Sequence, residues 1–110
     1  MSDATEVQFI EDMSTATEFQ LKHTPAVVVE GSPESPVLSV SIGLAGLTHP
    51  QTEEHFIEWI AVFDGDVLLD KVTFEPTETP TAVFGLTVPV ERLIVQSYCN
   101  LHGTFGTLLG

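Results

Sequence analysis

Four histidines and a single cysteine are the entire stock of soft and borderline metal ligands in this 110-residue chain. They fall in three short segments: His23 alone, His49 and His55 in a His-Pro-x4-His run, and Cys99 with His102 in Cys-Asn-Leu-His-Gly. Thiolate and neutral imidazole are ligands for first-row transition metals. Structural zinc prefers four ligands in a closed, usually sulfur-rich tetrahedron. Five protein ligands, four of them imidazoles, suit a metal that takes five or six positions. Iron(II) meets that description, with the thiolate softening the site and one position left open.

The spacing limits how these residues can meet. His49 and His55 lie six apart, so a single helical face, which groups residues three or four apart, is excluded. A strand would put both on one side, but Pro50 and the acidic residues between them point to a loop. Such a loop can curl and aim both rings at one ion. Cys99 ends a strand, and Gly103 permits a tight bend that swings His102 back beside the sulfur. His23 lies far upstream, so only tertiary folding completes the set. All five are expected in loops or at strand ends. Each alone has an ordinary reading, the histidines as surface or hydrogen-bonded groups and the cysteine as a small core hydrophobe. The combination is what points to a metal.

The positioning elements read as short strands. Residues 26–30 are a run centred on β-branched Val27, Val28 and Val29, and residues 31–36 form a loop rich in Gly, Ser and Pro. Residues 37–42 alternate cleanly, with Leu38, Val40 and Ile42 on one face. Residues 56–63 make a central strand that holds Trp59, expected in the core. Asp64-Gly65 signals a hairpin, and residues 67–74 return. Strands follow over 81–88 and 91–98, the last with Leu93, Val95, Ser97 and Cys99 on one face. No helical period is evident after residue 20. Six or seven strands at this spacing predict an antiparallel β-sandwich. Residues 1–17 read as an acidic N-terminal arm, and 18–110 as one domain with no internal repeat.

Composition narrows the function classes. Sixteen carboxylates face Lys22, Lys71 and Arg92, for a net charge of −13. Without a basic stripe, nucleic acid is excluded as a partner, and an anionic membrane surface is equally unsuited. The acidic excess reads either as a solubilising surface or as adaptation to a high-salt cytosol, where repulsion is screened within a few ångströms. No apolar run approaches the ~20 residues that span a bilayer. The N-terminal residues lack the basic and apolar regions of a signal peptide, so a cytoplasmic location is expected. A lone cysteine, unable to form an internal disulfide, agrees with a reducing compartment.

The motif His49-Pro-Gln-Thr-Glu-Glu-His55-Phe-Ile-Glu-Trp-Ile60, followed by Tyr98-Cys99-Asn-Leu-His102-Gly103, resembles the iron-site signature of the superoxide reductases, the neelaredoxin and desulfoferrodoxin group. Leu21-Lys22-His23-Thr24-Pro25 is similar to that family's Glu-Lys-His-x-Pro segment. The resemblance covers roughly residues 20 to 106. It implies an immunoglobulin-like sandwich of about seven strands holding one square-pyramidal iron. His23, His49, His55 and His102 would be equatorial and Cys99 axial, with the sixth position open. The backbone amides of Asn100 and Leu101 would hydrogen-bond the thiolate. With one cysteine, the four-cysteine iron domain of the two-iron members is absent, which leaves the one-iron, neelaredoxin type.

The implied activity is one-electron reduction of superoxide to hydrogen peroxide. Lys22 would attract the anion and order the water that delivers protons. A separate carrier such as rubredoxin would re-reduce the metal, and a homo-oligomer, dimer or tetramer, is implied. One departure stands out: the family's ferric-site glutamate is replaced by Leu21, and the spacing of Glu18 gives no reason for it to substitute. The alternative is a non-catalytic module that binds iron or zinc.

Overall fold

The alternation read at residues 37–42 becomes a strand that buries Leu38, Val40 and Ile42 and exposes Val37, Ser39 and Ser41. The same period governs the strand ending at Cys99, where Leu93, Val95, Ser97 and Cys99 are buried. These rows face each other across one core. In the computed structural model, which describes residues 7–109, the elements run β1 (Val7–Phe9), α1 (Glu18–His23), β2 (Pro25–Ser32), β3 (Ser35–Ile42), β4 (Ile57–Asp64), β5 (Val67–Thr73), β6 (Thr81–Gly85), β7 (Leu93–Cys99) and β8 (Gly103–Leu108). Short 3₁₀ turns cover Met13–Thr15 and Val90–Arg92.

The strands form a five-stranded sheet, β1-β8-β7-β4-β5, and a three-stranded sheet, β2-β3-β6. Leu38, Val40, Ile42, Ala82 and Phe84 from the smaller sheet pack on Ile57, Ile60, Val62, Leu93, Val95 and Cys99 from the larger. This is the all-β sandwich expected from the sequence, with eight strands among the described residues rather than about seven. Every pair is antiparallel except β1 with β8, which is parallel.

That pair corrects the N-terminal reading. The acidic arm expected over 1–17 already joins the sheet at Val7; residues 1–6 of it lie outside the described part. Val7 and Phe9 alternate toward Gly106, where an added Cβ would come within 2.7 Å of both side chains. The missing side chain at Gly106 is what lets these two apolar residues lie on the sheet. Two further expectations shift. Residues 31–36 are mostly strand, because β2 and β3 pair down to Ser32 and Ser35. Trp59 leaves the core for the outer face of the sheet. There it stacks on Tyr98 at 5.7 Å, with the Lys71 ammonium 4.9 Å from its ring centre. Strand period decides this: Ile60 and Val62 take the inner face, so Trp59 must point the other way.

Candidate metal centre

His23 comes from the last turn of α1, a helix rather than the loop or strand end expected. Thr17 and Gln20 form a capping box: the Thr17 hydroxyl accepts from the Gln20 amide at 3.1 Å, and the Gln20 side-chain oxygen accepts from the Thr17 amide at 2.8 Å. The Thr-x-x-Gln spacing was the sequence signal for this helix. One turn later the His23 Nδ1–H donates to the Phe19 carbonyl at 2.7 Å. The Ser97 hydroxyl, from the centre of β7, donates to the His23 carbonyl at 3.2 Å and ties α1 to the sheet.

His49 and His55 lie on the connection between β3 and β4, which curls as expected. Gly43 starts it at φ +112, where a Cβ would collide with the Leu47 carbonyl. Thr52 and His55 exchange backbone hydrogen bonds at 3.0 and 3.2 Å, closing a tight turn that brings His55 round beside His49. Glu53 and Glu54 sit exposed on that turn. The His49 Nδ1–H donates to the Pro50 carbonyl at 2.6 Å.

Cys99 ends β7 and is fully buried. Gly103, at φ +92, reverses the chain into β8. Asn100 binds this turn to the histidine loop. Its side-chain oxygen accepts from the Phe56 amide at 2.9 Å, and its side-chain nitrogen donates to the Glu54 carbonyl at 3.0 Å. Both residues next to His55 are thus pinned to the residue next to Cys99. From β1, the Gln8 side chain donates to the His102 carbonyl at 3.0 Å. The amides that reach the Cys99 sulfur are those of Leu101 and His102, rather than Asn100 and Leu101. The Asn100 amide is committed elsewhere, donating to the Phe56 carbonyl at 3.2 Å.

One ligand atom each from His23, His49, His55 and Cys99 lies within 4.8 Å of all the others. Metal–nitrogen bonds of about 2.1 Å and metal–sulfur bonds of about 2.3 Å put opposite ligands roughly 4.2–4.4 Å apart. The group is therefore the size that one ion spans. No Asp or Glu among the described residues belongs to it, Glu18 included. His102 lies outside this tight group and is exposed, yet its ring stands beside it, 5.0 Å from the His23 ring and 5.1 Å from the His55 ring.

The four rings form a square. His23–His49 and His49–His55 are edge-on at 4.5 and 4.6 Å, and His102 closes the remaining two sides. The Nε2 atoms of His23, His49 and His55 are buried with no hydrogen-bond partner. Buried polar atoms are ordinarily satisfied, so three orphans converging beside a thiol need an explanation. A metal bound at this point would supply it. For His23 and His49 the Nδ1 hydrogen bond fixes the tautomer whose free lone pair is on Nε2.

The electrostatics favour the same state. Burial, with the neighbouring His23, pushes the His49 imidazole down to about 4. Burial also lowers His23 and His55, with smaller contributions from His102 in both cases. All three imidazoles are neutral near pH 7 and able to ligate. Burial pushes the Cys99 thiol up, and the Leu101 and His102 amides partly pull it back. A bound cation would provide the compensation that a buried thiolate needs.

The desulfoferrodoxin family model matches residues 15–107. The chain belongs to the desulfoferrodoxin family. The family's desulfoferrodoxin homolog from Archaeoglobus fulgidus is 34% identical over 92 residues, which cover 84% of this chain and 66% of that protein. The superoxide reductase of Thermococcus kodakarensis is 37% identical over 93 residues, covering 74% of this chain and 80% of the relative. Among solved structures, the reduced superoxide reductase (neelaredoxin) of Archaeoglobus fulgidus superposes with a TM-score of 0.66 at 26% identity, covering 92% of this chain and 94% of that one.

Lys22, immediately before His23, is half-buried on α1 and close enough for its charge to push the His23 imidazole down. The sequence reading missed three supports of the site. Phe19 accepts from His23 and lays its ring 4.4 Å from the imidazole. Gln51 and the Asn100 side chain hold the loop. Gln51 reaches the Glu78 carbonyl and Asn100 reaches the backbone of Glu54 and Phe56, partners distant in sequence that no local pattern announces.

Proposed function

We propose that this chain is a superoxide reductase, carrying out the one-electron reduction of superoxide to hydrogen peroxide at one mononuclear non-haem iron. The ligands are His23, His49, His55 and His102 with the Cys99 thiolate. The observation that carries this reading is the convergence of three partnerless Nε2 atoms on a buried thiol, with no carboxylate among them. When bound, the iron supplies the one-electron couple and an open position for the anion.

The residues of the chain do the rest. The rear hydrogen bonds of His23 and His49 keep the imidazoles neutral and aimed inward. The Leu101 and His102 amides temper the charge on sulfur. Lys22 draws the anion in and orders the water that delivers two protons as superoxide takes up one electron. Of the three cations, Arg92 pairs with Asp64 and Lys71 lies over Trp59, so Lys22 alone has no such partner among the described residues. Rubredoxin or another small redox carrier returns the electron. A homo-oligomer, dimer or tetramer, and a cytoplasmic location belong to the same reading; the free Cys99 and the lack, among the described residues, of any helix long and apolar enough to cross a membrane agree with it.

Iron analysis with an oxidised-minus-reduced visible spectrum, taken before and after adding superoxide, tests the assignment. The expected result is one iron per chain and a thiolate band that bleaches on reduction and returns with superoxide. A colourless, zinc-loaded chain would overturn redox chemistry in favour of passive metal binding.

A further inference from the structure

We propose that Gln51 is a positioning residue for the centre, its side-chain amide setting the orientation and basicity of the His49 imidazole. This rests on the reading of the site as a metal centre. The His49 Nδ1–H is shared between two acceptors, the Pro50 carbonyl at 2.6 Å and the Gln51 side-chain oxygen at 3.3 Å. The same oxygen accepts from the Ile57 amide at 2.8 Å, and the Gln51 nitrogen donates to the Glu78 carbonyl at 2.9 Å. One amide therefore joins the rear of a ligand, the first residue of β4 and the connection between β5 and β6.

These partners fix which way the amide points. Its oxygen faces two N–H groups and its nitrogen faces a carbonyl; a flipped amide would set N–H against N–H. The reach of the clamp extends to sulfur, because Ile57 pairs with Cys99 across β4 and β7. That pairing sits at a register irregularity between Ile57 and Trp59, so the start of β4 is not held by a regular ladder alone. His49 is only 6% exposed, which leaves its Nδ1 bonds in a poorly screened setting. Of its two acceptors, Pro50 contributes backbone, so Gln51 is the one that substitution can alter. A cavity of about 430 Å³ lined by Thr48, His49, Gln51, Glu78 and Pro80 leaves room for such changes.

The test uses Gln51→Glu and Gln51→Leu in the full chain. Glutamate keeps an acceptor for His49 and Ile57 but makes it anionic; leucine removes it. A more basic imidazole favours the ferric state, so the midpoint potential falls in Gln51→Glu and rises in Gln51→Leu, with iron affinity about tenfold weaker in the leucine variant. Potentials that stay put, or move together in one direction, would overturn the proposal and reduce Gln51 to a structural clamp. The metal-free protein gives an independent reading by ¹⁵N imidazole spectroscopy. The His49 Nδ1 resonance should differ among wild type and both variants. Identical resonances sink the Gln51 role whatever the iron content, whereas a wild-type chain that takes no iron sinks only the proposed function.

Discussion

His23 and His55 face each other across the site, ring centres 6.1 Å apart and planes 30° from parallel. Each stands edge-on to His49 and His102, at interplanar angles of 76–89°. This is the relation expected of two imidazoles bound to opposite sides of one ion, with two bonds of about 2.1 Å and two ring radii between their centres. The exposed His102 stands in the same arrangement, its ring edge-on to both. The square is completed by its ring even though its nitrogen stands off from the tight group.

The opposed pair gives a direct expectation. His23→Ala or His55→Ala removes one side of the square and should lower iron affinity by at least ~10-fold, more than the weakest effect of losing an outer hydrogen bond. Cys99→Ser should abolish the thiolate absorption band. Metal analysis after desalting, paired with visible spectra, reads both. Full iron retention in the histidine variants would contradict the shared ion.

Acid should act on the metal-free fold in a defined window. His49 has an ordinary value of 6.5 and about 4 in the folded chain, so the neutral form is favoured on folding. That contribution is fully present above pH 6.5 and is lost as pH falls toward 4, at most ~3 kcal/mol for this group. His23 and His55 are shifted the same way. Urea unfolding of the apo-protein at pH 7.5 and pH 4.5 measures the loss. Equal stability at both values would show that these imidazoles are not held neutral by burial.

Asn100→Ala deletes both side-chain bonds that bracket His55. Each hydrogen bond contributes about 0.5–1.5 kcal/mol, so a loss of roughly 1–3 kcal/mol is expected in denaturant unfolding. Iron should also dissociate faster, because the segment around His55 is then tied to the Cys99 turn by backbone bonds alone. A variant with lowered stability but unchanged iron release would mean the bracket serves folding alone.

Lys22→Ala should slow superoxide capture by roughly tenfold at low ionic strength and flatten its salt dependence. Pulse radiolysis over a salt series makes the comparison. Against a net charge of −13, one lysine adjacent to His23 in sequence matters more than it would on a neutral protein. A rate that ignores the substitution would remove the role.

Much of this was legible in the residues. The alternation at Leu38, Val40 and Ile42 and at Leu93, Val95 and Ser97 fixed which faces meet, because strand period admits two choices and only one is apolar. The six-residue gap between His49 and His55 demanded a curled loop, and the Thr52–His55 turn is that curl. What stayed hidden depended on tertiary partners or on short elements. Trp59 read as core from an apolar run, yet the run is apolar on both faces because Tyr98 and Lys71 cover the outer one. Helix α1 has six residues, too few to show a period, although its cap was written at Thr17 and Gln20. Glu54 and Phe56 gave no hint that Asn100 would reach them.

Strand β7 presents Cys99 inward and Tyr98 outward on adjacent residues. Slippage of that strand by one position would leave the sheet fully hydrogen-bonded while turning sulfur to solvent and an aromatic ring toward the imidazoles. Electron chemistry in this protein thus hinges on an alignment that backbone pairing by itself cannot enforce. A single-residue deletion within β7 would carry Gln96 inward along with Tyr98, so the apolar row of Leu93 and Val95 is what keeps the sulfur facing the imidazoles.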